Sequence, residues 1–231
     1  MSVKTSDGLS SLARACVAQG GSYHDEGSGS RAVTRTYLDP VDEIWLQTAH
    51  RLGMRVARSD EVFASWDGSG VLTLSRPRGF DPDDCLAQMI LHELAHALVQ
   101  GPHDWSATDW GLHNADDRDL AAEYAAQRVQ AALAAPHGLR RFMGVTTQWR
   151  AYYDALPEDP LEGPASDPAV RLARAGFMRS RRPPWRETID AALGATAAVA
   201  RVLQPFARPD SLWAVACGEV EPRLSGTAAE K

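Results

Sequence analysis

The longest apolar pattern in the chain is CLAQMILHELAHALVQ, at residues 85–100, and its middle is apolar on almost every side of a helix. A helix of that kind is typical of a protein core, so we predict that it is buried. Asp81 is expected to cap it, with Pro82 at the first helical position, where proline is well tolerated. Gly101 and Pro102 form a typical helix end. The pattern therefore predicts one central helix with defined limits.

Elsewhere the pattern alternates between helical and strand periods and predicts an α+β fold that is mainly helical. Residues 61–66 and 71–75 have strand character and flank the loop DGSG at 67–70, as in a β-hairpin. Apolar positions at helical spacing predict four further helices, over 41–52, 118–135, 168–180 and 185–204. The stretch 136–168 is broken by prolines, and the Gly/Ser-rich stretch 20–30 is predicted to be a flexible loop.

Composition narrows the class of protein. A chain of 231 residues with 44% hydrophobic residues can bury the core of one domain with a helical extension. The formal net charge of -6 argues against a dedicated nucleic-acid binder, which would carry a basic excess. No apolar stretch approaches a membrane span or a signal-peptide core, so we expect a cytoplasmic protein without a membrane partner. The three cysteines include no close pair, which argues against a disulfide framework.

The central helix carries the sequence His92-Glu93-Leu94-Ala95-His96, an H-E-x-x-H motif. Residues four apart lie one turn apart on the same helix face, so the two imidazoles can bind one metal ion. Glu93 is rotated by about 100° and can reach a water on the metal instead of the metal itself. The alternative is a pair of ordinary core histidines, which would bury three polar side chains at a considerable energetic cost. The motif therefore favours a metal site.

A catalytic zinc ion requires a third protein ligand, and Glu123 is the leading candidate. It lies 27 residues after His96 in a predicted helix, among alanines that allow close helix packing. Asp119, one turn earlier, could orient a ligand histidine through a hydrogen bond. The alternative is that this helix has one solvated polar face, made of Asp116, Asp119, Glu123, Gln127 and Gln130.

Other histidines are weaker candidates for the third ligand. In the metzincin pattern H-E-x-x-H-x-x-G-x-x-H the last histidine follows a glycine turn. Here His103 lies seven residues after His96 instead of six, and Val99 replaces the glycine. His113 and Asp109 are alternative ligands or contacts to a transition state.

Residues 61–130 resemble the zincin superfamily of metallopeptidases, and more specifically its small gluzincin-like members. The resemblance rests on HELAH and on DLAAEYAAQ at 119–127, which is similar to the E-x-x-A helices of that group. It implies a peptide or protein substrate and a Zn²⁺ cofactor. The site residues that it implies are the ligands His92, His96 and Glu123 with the general base Glu93.

The zincin resemblance also implies how the chain is organised. Residues 39–135 would form a zincin-like metal-binding core, in which the active-site helix packs beside a small β-hairpin or sheet. An edge strand of the 61–75 hairpin would bind an extended peptide. Outside the resemblance, the sequence pattern predicts an N-terminal helix and the flexible loop over residues 1–38, and a helical C-terminal extension, packed on the core, over 136–231.

A second resemblance, over about 40 residues, is to the elongation factor P hydroxylase family. It is carried by HELAHALVQGP, by the DWG sequence at 109–111 and by Asp116-Asp117-Arg118-Asp119. This family is thought to use iron to hydroxylate a protein lysine, so the resemblance implies Fe²⁺ in place of zinc. Glu93 would then be a ligand or a structural partner instead of a base. Two histidines and a carboxylate suit either metal.

A third hypothesis is a metal-stabilised binding module without catalytic turnover. It rests on six arginines in a stretch, 169–186, that contains no acidic residue. These arginines are Arg171, Arg174, Arg179, Arg181, Arg182 and Arg186. They could bind an acidic partner or form a solvated helical face. The aromatic residues Trp105, Trp110, Trp149, Tyr152 and Tyr153 are interpreted as core residues instead of a substrate platform.

Negative charge is concentrated near the motif. Between Asp104 and Glu123 the chain has six carboxylates against one arginine. This local excess suits capture of a cation or a basic substrate, and it is equally typical of a polar loop.

Overall fold

The computed structural model describes residues 34–113 and 117–216. The chain divides into two units, Met1–Tyr37 and Leu38–Lys231, and only residues 34–37 of the first are described. The helix and loop predicted before residue 34, with Cys16 and Cys217, therefore lie outside the described residues.

The described residues confirm a mainly helical α+β fold with one small sheet. In chain order the elements are α1 (Pro40–Arg51), β1 (Arg55–Ser59), β2 (Ala64–Trp66), β3 (Val71–Ser75), α2 (Leu86–Gln100), α3 (Leu120–Ala134), α4 (Thr147–Asp154), α5 (Pro168–Ser180) and α6 (Trp185–Leu203). The four additional predicted helices correspond to α1, α3, α5 and α6. The ends of α5 are as predicted, and those of the other three differ by at most two residues.

The sheet has the strand order β1-β3-β2. β2 and β3 form the predicted antiparallel hairpin, whose loop is held by the Asp67 carboxylate, an acceptor for the N–H groups of Ser69 and Val71 at 2.7 and 2.9 Å. β1 was not predicted. It pairs with β3 in parallel, and its sequence RVARS lacks the alternation by which a half-buried strand is recognised.

Helix α2 begins later than predicted. Asp81 does not cap it, because Asp81 belongs to a separate turn and the N-cap is Cys85. The side chain of Gln88 accepts the N–H of Cys85 and so holds the first turn. An Asp-Pro pair favours a turn as well as a helix start, which explains the error. The predicted end is confirmed, since α2 stops at Gln100 and Gly101 takes φ = 85°.

Helix α2 lies at the centre of the fold and packs against α1, α3 and α5. All of its residues except His92 and Gln100 are buried. The closest approach is at Gly176 of α5, where an added Cβ would lie 3.2 Å from both the Val99 Cα and the Val129 side chain. The H-E-x-x-H motif is therefore held by packing on several sides.

The C-terminal helices α5 and α6 pack into the same hydrophobic core as α1, α2 and α3. Ile189 and Leu193 of α6 belong to the same buried cluster as Trp45 of α1, and the Trp45 indole donates to Thr196 Oγ1 at 3.0 Å. The proline-broken stretch also contains α4, which the sequence pattern did not predict. Within the described ranges, no helix combines the length and the apolar character that a bilayer crossing requires.

Candidate metal centre

Three potential metal ligands meet between α2 and α3. The Nε2 atoms of His92 and His96 lie 3.0 Å apart on one face of α2. Glu123, in the first turn of α3, places its carboxylate oxygens 3.3 Å from His92 Nε2 and 3.1 Å from His96 Nε2. One potential ligand atom from each residue lies within 4.8 Å of the others. The structure thus brings together the three residues that the sequence singled out.

The face of α3 that carries Glu123 is not solvated. Gln127 and Gln130 are fully buried, and the Glu123 side chain is only 18% exposed. The alternative of one solvated polar face is therefore wrong for these three residues. Asp119 is half-buried, and Asp116 lies outside the described residues.

Gln130 determines which nitrogen of His92 faces the candidate site. Its Nε2 donates to the carbonyl oxygens of Met143 and Gly144, at 2.9 and 3.4 Å, so its Oε1 is left as an acceptor. That Oε1 lies 2.9 Å from His92 Nδ1. His92 therefore holds a proton on Nδ1, so Nε2 is the nitrogen whose lone pair becomes available when a metal ion displaces the second proton of the ring. The sequence pattern does not indicate this role of Gln130, because it depends on a contact with a residue 38 positions away.

The charge of Glu123 favours a cation between the two histidines and the carboxylate. Burial lowers the pKa of His92, but the charge and hydrogen bond of Glu123 outweigh burial and raise it to about 9. Burial raises the pKa of Glu123, but the two histidines outweigh it and hold that pKa well below its usual range. The Glu123 carboxylate is therefore ionised and favours positive charge between the imidazoles.

The chemistry of the three side chains fits a divalent transition-metal ion. Two imidazole nitrogens and one carboxylate form a ligand set used by both Zn²⁺ and Fe²⁺. The buried Nδ1 of His96 has no hydrogen-bond partner among the described residues. The ring of His96 is therefore held through its Nε2 side, where it faces Glu123.

Glu93 lies beside this group with its side chain in the same cleft. It is 7% exposed, and its Oε2 accepts a hydrogen bond from the Trp110 indole N–H at 2.9 Å. The Trp110 ring stacks on Trp66, with centroids 4.6 Å apart and an interplanar angle of 3°. The interpretation of Trp110 as a core residue agrees with its 2% exposure, but it missed the contact with Glu93.

The remaining candidate residues occupy other positions. His103 is exposed and does not line the cleft. His113 lies at the cleft rim, and its backbone N–H donates to Asp119 at 2.7 Å. The Asp119 contact seen in the structure is therefore with this backbone, whereas the partner of His92 is Gln130. Asp109 lines the cleft and accepts the Trp66 N–H at 3.0 Å.

The cleft has a volume of about 560 Å³, and its described lining contains carboxylates but no lysine or arginine. The lining carboxylates are Asp81, Glu93, Asp109, Asp117, Asp119 and Glu123. Phe63 and Trp149 add apolar walls. Part of the acidic excess noted in the sequence therefore faces the candidate site.

One edge of the sheet also borders the cleft. Hydrogen bonds join Phe63 to Ser75 and Asp67 to Val71, so the backbone groups of Ala64 point away from β3. Ala64 lines the cleft. Two residues further along β2, the outward-pointing N–H of Trp66 already has a partner, because the Asp109 carboxylate accepts it.

The arginine-rich stretch makes many contacts within the chain. Arg179 donates to the carbonyl oxygens of Leu98 and Val99 at the end of α2, at 2.6 and 2.9 Å. Backbone carbonyls accept from Arg171 and Arg174, and the Asp190 carboxylate pairs with Arg181 and Arg186. Five of the six arginines thus have partners within the molecule.

No family model, curated protein or solved structure matches this chain.

Proposed function

We propose that the protein is a metal-dependent hydrolase of peptide bonds, with zinc as the ion held by His92, His96 and Glu123. One observation carries the proposal: the Nε2 atoms of His92 and His96 lie next to each other and next to the largely buried, ionised carboxylate of Glu123. Glu93, on the same helix and in the same cleft, supplies the acid–base group that hydrolysis requires.

A zinc ion in such a site acidifies a water molecule and polarises a carbonyl group. The residues of the chain perform the proton transfers. Glu93 accepts a proton from the water whose oxygen attacks the peptide carbonyl carbon. It then delivers that proton to the amide nitrogen as the C–N bond breaks, so that a carboxylic acid and an amine leave.

A peptide or protein substrate is supported by the surroundings of the site. The outward backbone groups of Ala64 can pair with an extended chain lying in the cleft. Because the Trp66 N–H is already donated to Asp109, it is not available to the substrate, and the pairing is limited to the part of β2 before Trp66. The acidic lining favours substrates with basic side chains near the bond that is cleaved.

Replacing Glu93 by Gln tests this proposal. The variant should keep its zinc and lose about 10²- to 10⁴-fold in hydrolysis, because the amide cannot accept the proton. Cleavage of a random-sequence peptide mixture, followed by mass spectrometry, measures activity, and elemental analysis measures zinc. Asp210→Asn, a similar change at an exposed residue remote from the cleft, is the control and should behave like the wild type. Undiminished cleavage by Glu93→Gln would contradict the assignment.

A second candidate function is iron-dependent hydroxylation of a protein side chain. One observation favours it: Trp110 of the segment Asp109-Trp110-Gly111 contacts Glu93. This segment is one of the motifs that carry the hydroxylase resemblance, and it is not one of those that carry the zincin resemblance. Protein purified without added metal would then contain iron. It would add one oxygen atom to a protein substrate only when both O₂ and a two-electron reductant are supplied, with the second oxygen atom leaving as water. Mass spectrometry distinguishes this product from cleavage.

A further inference from the structure

Glu93 is a buried carboxylate whose orientation depends on one neighbouring side chain. Among the described residues, the Trp110 indole N–H donates a hydrogen bond to Glu93 Oε2 at 2.9 Å. A carboxyl group that is 7% exposed needs such a donor, because burial removes most of its water. The other oxygen, Oε1, is left for the cleft that Glu93 lines.

The donor itself is held firmly by aromatic packing. Trp110 is 2% exposed, stacks on Trp66 and meets the edge of Trp105 at a centroid distance of 5.6 Å. The Trp66 indole donates in turn to the backbone carbonyl of Trp105 at 2.8 Å. A side chain packed in this way has one accessible orientation, so its N–H points at a fixed place.

The backbone that presents Trp110 has an unusual conformation. Asp109 and Trp110 both lie in the left-handed region, with φ of 48° and 58°, and Gly111 follows with φ of 74°. Two adjacent non-glycine residues in this region are strained and persist only where their surroundings hold them. Here the Asp109 carboxylate is tied to the N–H of Trp66 in β2. The strained turn and the strand edge together direct the indole towards Glu93.

We propose that Trp110 is a positioning residue for Glu93. Its indole N–H fixes Oε2, so that Oε1 is the oxygen that exchanges protons with the substrate side of the cleft. This inference rests on the proposed hydrolase function, in which Glu93 is the base. It assigns a role to the DWG segment, for which a general peptidase pattern has no counterpart. It also links the substrate-binding strand edge to the base, since Asp109 contacts β2 and Trp110 contacts Glu93.

Trp110→Phe removes the N–H and retains an aromatic ring in the cluster. We expect kcat to fall about 10- to 100-fold, as for loss of a hydrogen bond to a charged group, while KM stays within about twofold. Zinc content should equal that of the wild type, because the hydrogen bond and the stacked ring contact of Trp110 are with Glu93 and Trp66 and not with the three proposed ligands. Trp213→Phe, which alters an indole packed on Phe142, is the matched control and should keep wild-type kcat.

A second readout does not depend on activity. In the ¹⁵N-labelled full chain loaded with zinc, the Trp110 indole peak is the one missing from Trp110→Phe. We expect this peak to move upfield in Glu93→Ala more than any other indole peak, because its carboxylate acceptor is lost. The spectrum remains informative if Trp110→Phe fails to accumulate, since the peak can then be assigned from backbone-linked experiments on the wild type.

The outcomes separate this inference from the proposed function. Zinc binding without any cleavage by the wild type would overturn the hydrolase function and with it the role of Trp110. Cleavage by the wild type with unchanged kcat in Trp110→Phe would overturn the inference alone. Loss of zinc from Trp110→Phe, or an indole peak that does not respond to Glu93→Ala, would also overturn it, because Trp110 would then be only a structural residue.

Discussion

The two histidines of the motif have different environments. His92 donates from Nδ1 to Gln130, whose own amide is fixed by two backbone carbonyls. His96 has no such partner for its Nδ1 among the described residues. The orientation of His92 is therefore determined before any ion binds, whereas that of His96 depends more on Glu123. Such a contact behind a ligand raises metal affinity by limiting the motion of the imidazole.

Gln130→Met is expected to lower zinc affinity about 10- to 100-fold, because it removes the acceptor for His92 Nδ1 at little change in volume. Competition with a chromogenic chelator measures this affinity. Gln88→Met is the matched control, since Gln88 is equally buried and its hydrogen bonds are with Cys85, Asp83 and Phe142 and not with a histidine. Both variants should be less stable to urea. Equal zinc affinities for the two variants would contradict the role of Gln130.

At the scale of elements, the site depends on how closely α5 and α3 approach α2. The glycine at 176 permits this approach, because its Cα faces backbone and side-chain atoms of the two neighbouring helices. The glycine at 194, inside α6, has open space where a Cβ would lie. The same substitution at these two positions therefore separates helix propensity from helix packing.

Gly176→Ala should lower the free energy of unfolding by about 1–2 kcal/mol, because the added methyl meets the α2 backbone, which cannot easily move. Gly194→Ala should raise it by about 0.5–1 kcal/mol, since alanine is the better helix former and meets nothing. Urea titrations followed by circular dichroism measure both. Stabilisation by Gly176→Ala would show that α5 is not closely packed on α2.

The elements that could be predicted from the sequence are those whose signal lies within one short stretch of residues. The helices have apolar positions at helical spacing, and the β2–β3 hairpin has a recognisable loop. β1 was missed because it depends on parallel pairing with β3, a contact distant in sequence and absent from its own residues. The cap at Asp81 was wrong because its Asp-Pro signal is shared by turns. Pairing with a strand distant in sequence therefore decided the first case, and local turn formation decided the second.

At the scale of the whole molecule, the fold joins residues that are far apart in the chain. His92 and His96 could be paired from spacing alone, and Glu123 from its place in a following helix. Trp110 and Gln130 could not be assigned in this way, because an indole and an amide acquire their roles only through contacts with Glu93 and His92. The ligand role of Glu123 itself stays a prediction.

That prediction is the central claim, and metal content tests it most directly. Wild-type protein offered zinc or iron and then dialysed should retain about one equivalent of metal per chain. Glu123→Ala should retain less than about a tenth of that, because two histidines alone bind weakly. Glu187→Ala, a matched change at an exposed residue of α6, should behave like the wild type. Full metal content in Glu123→Ala, or none in the wild type, would contradict the account.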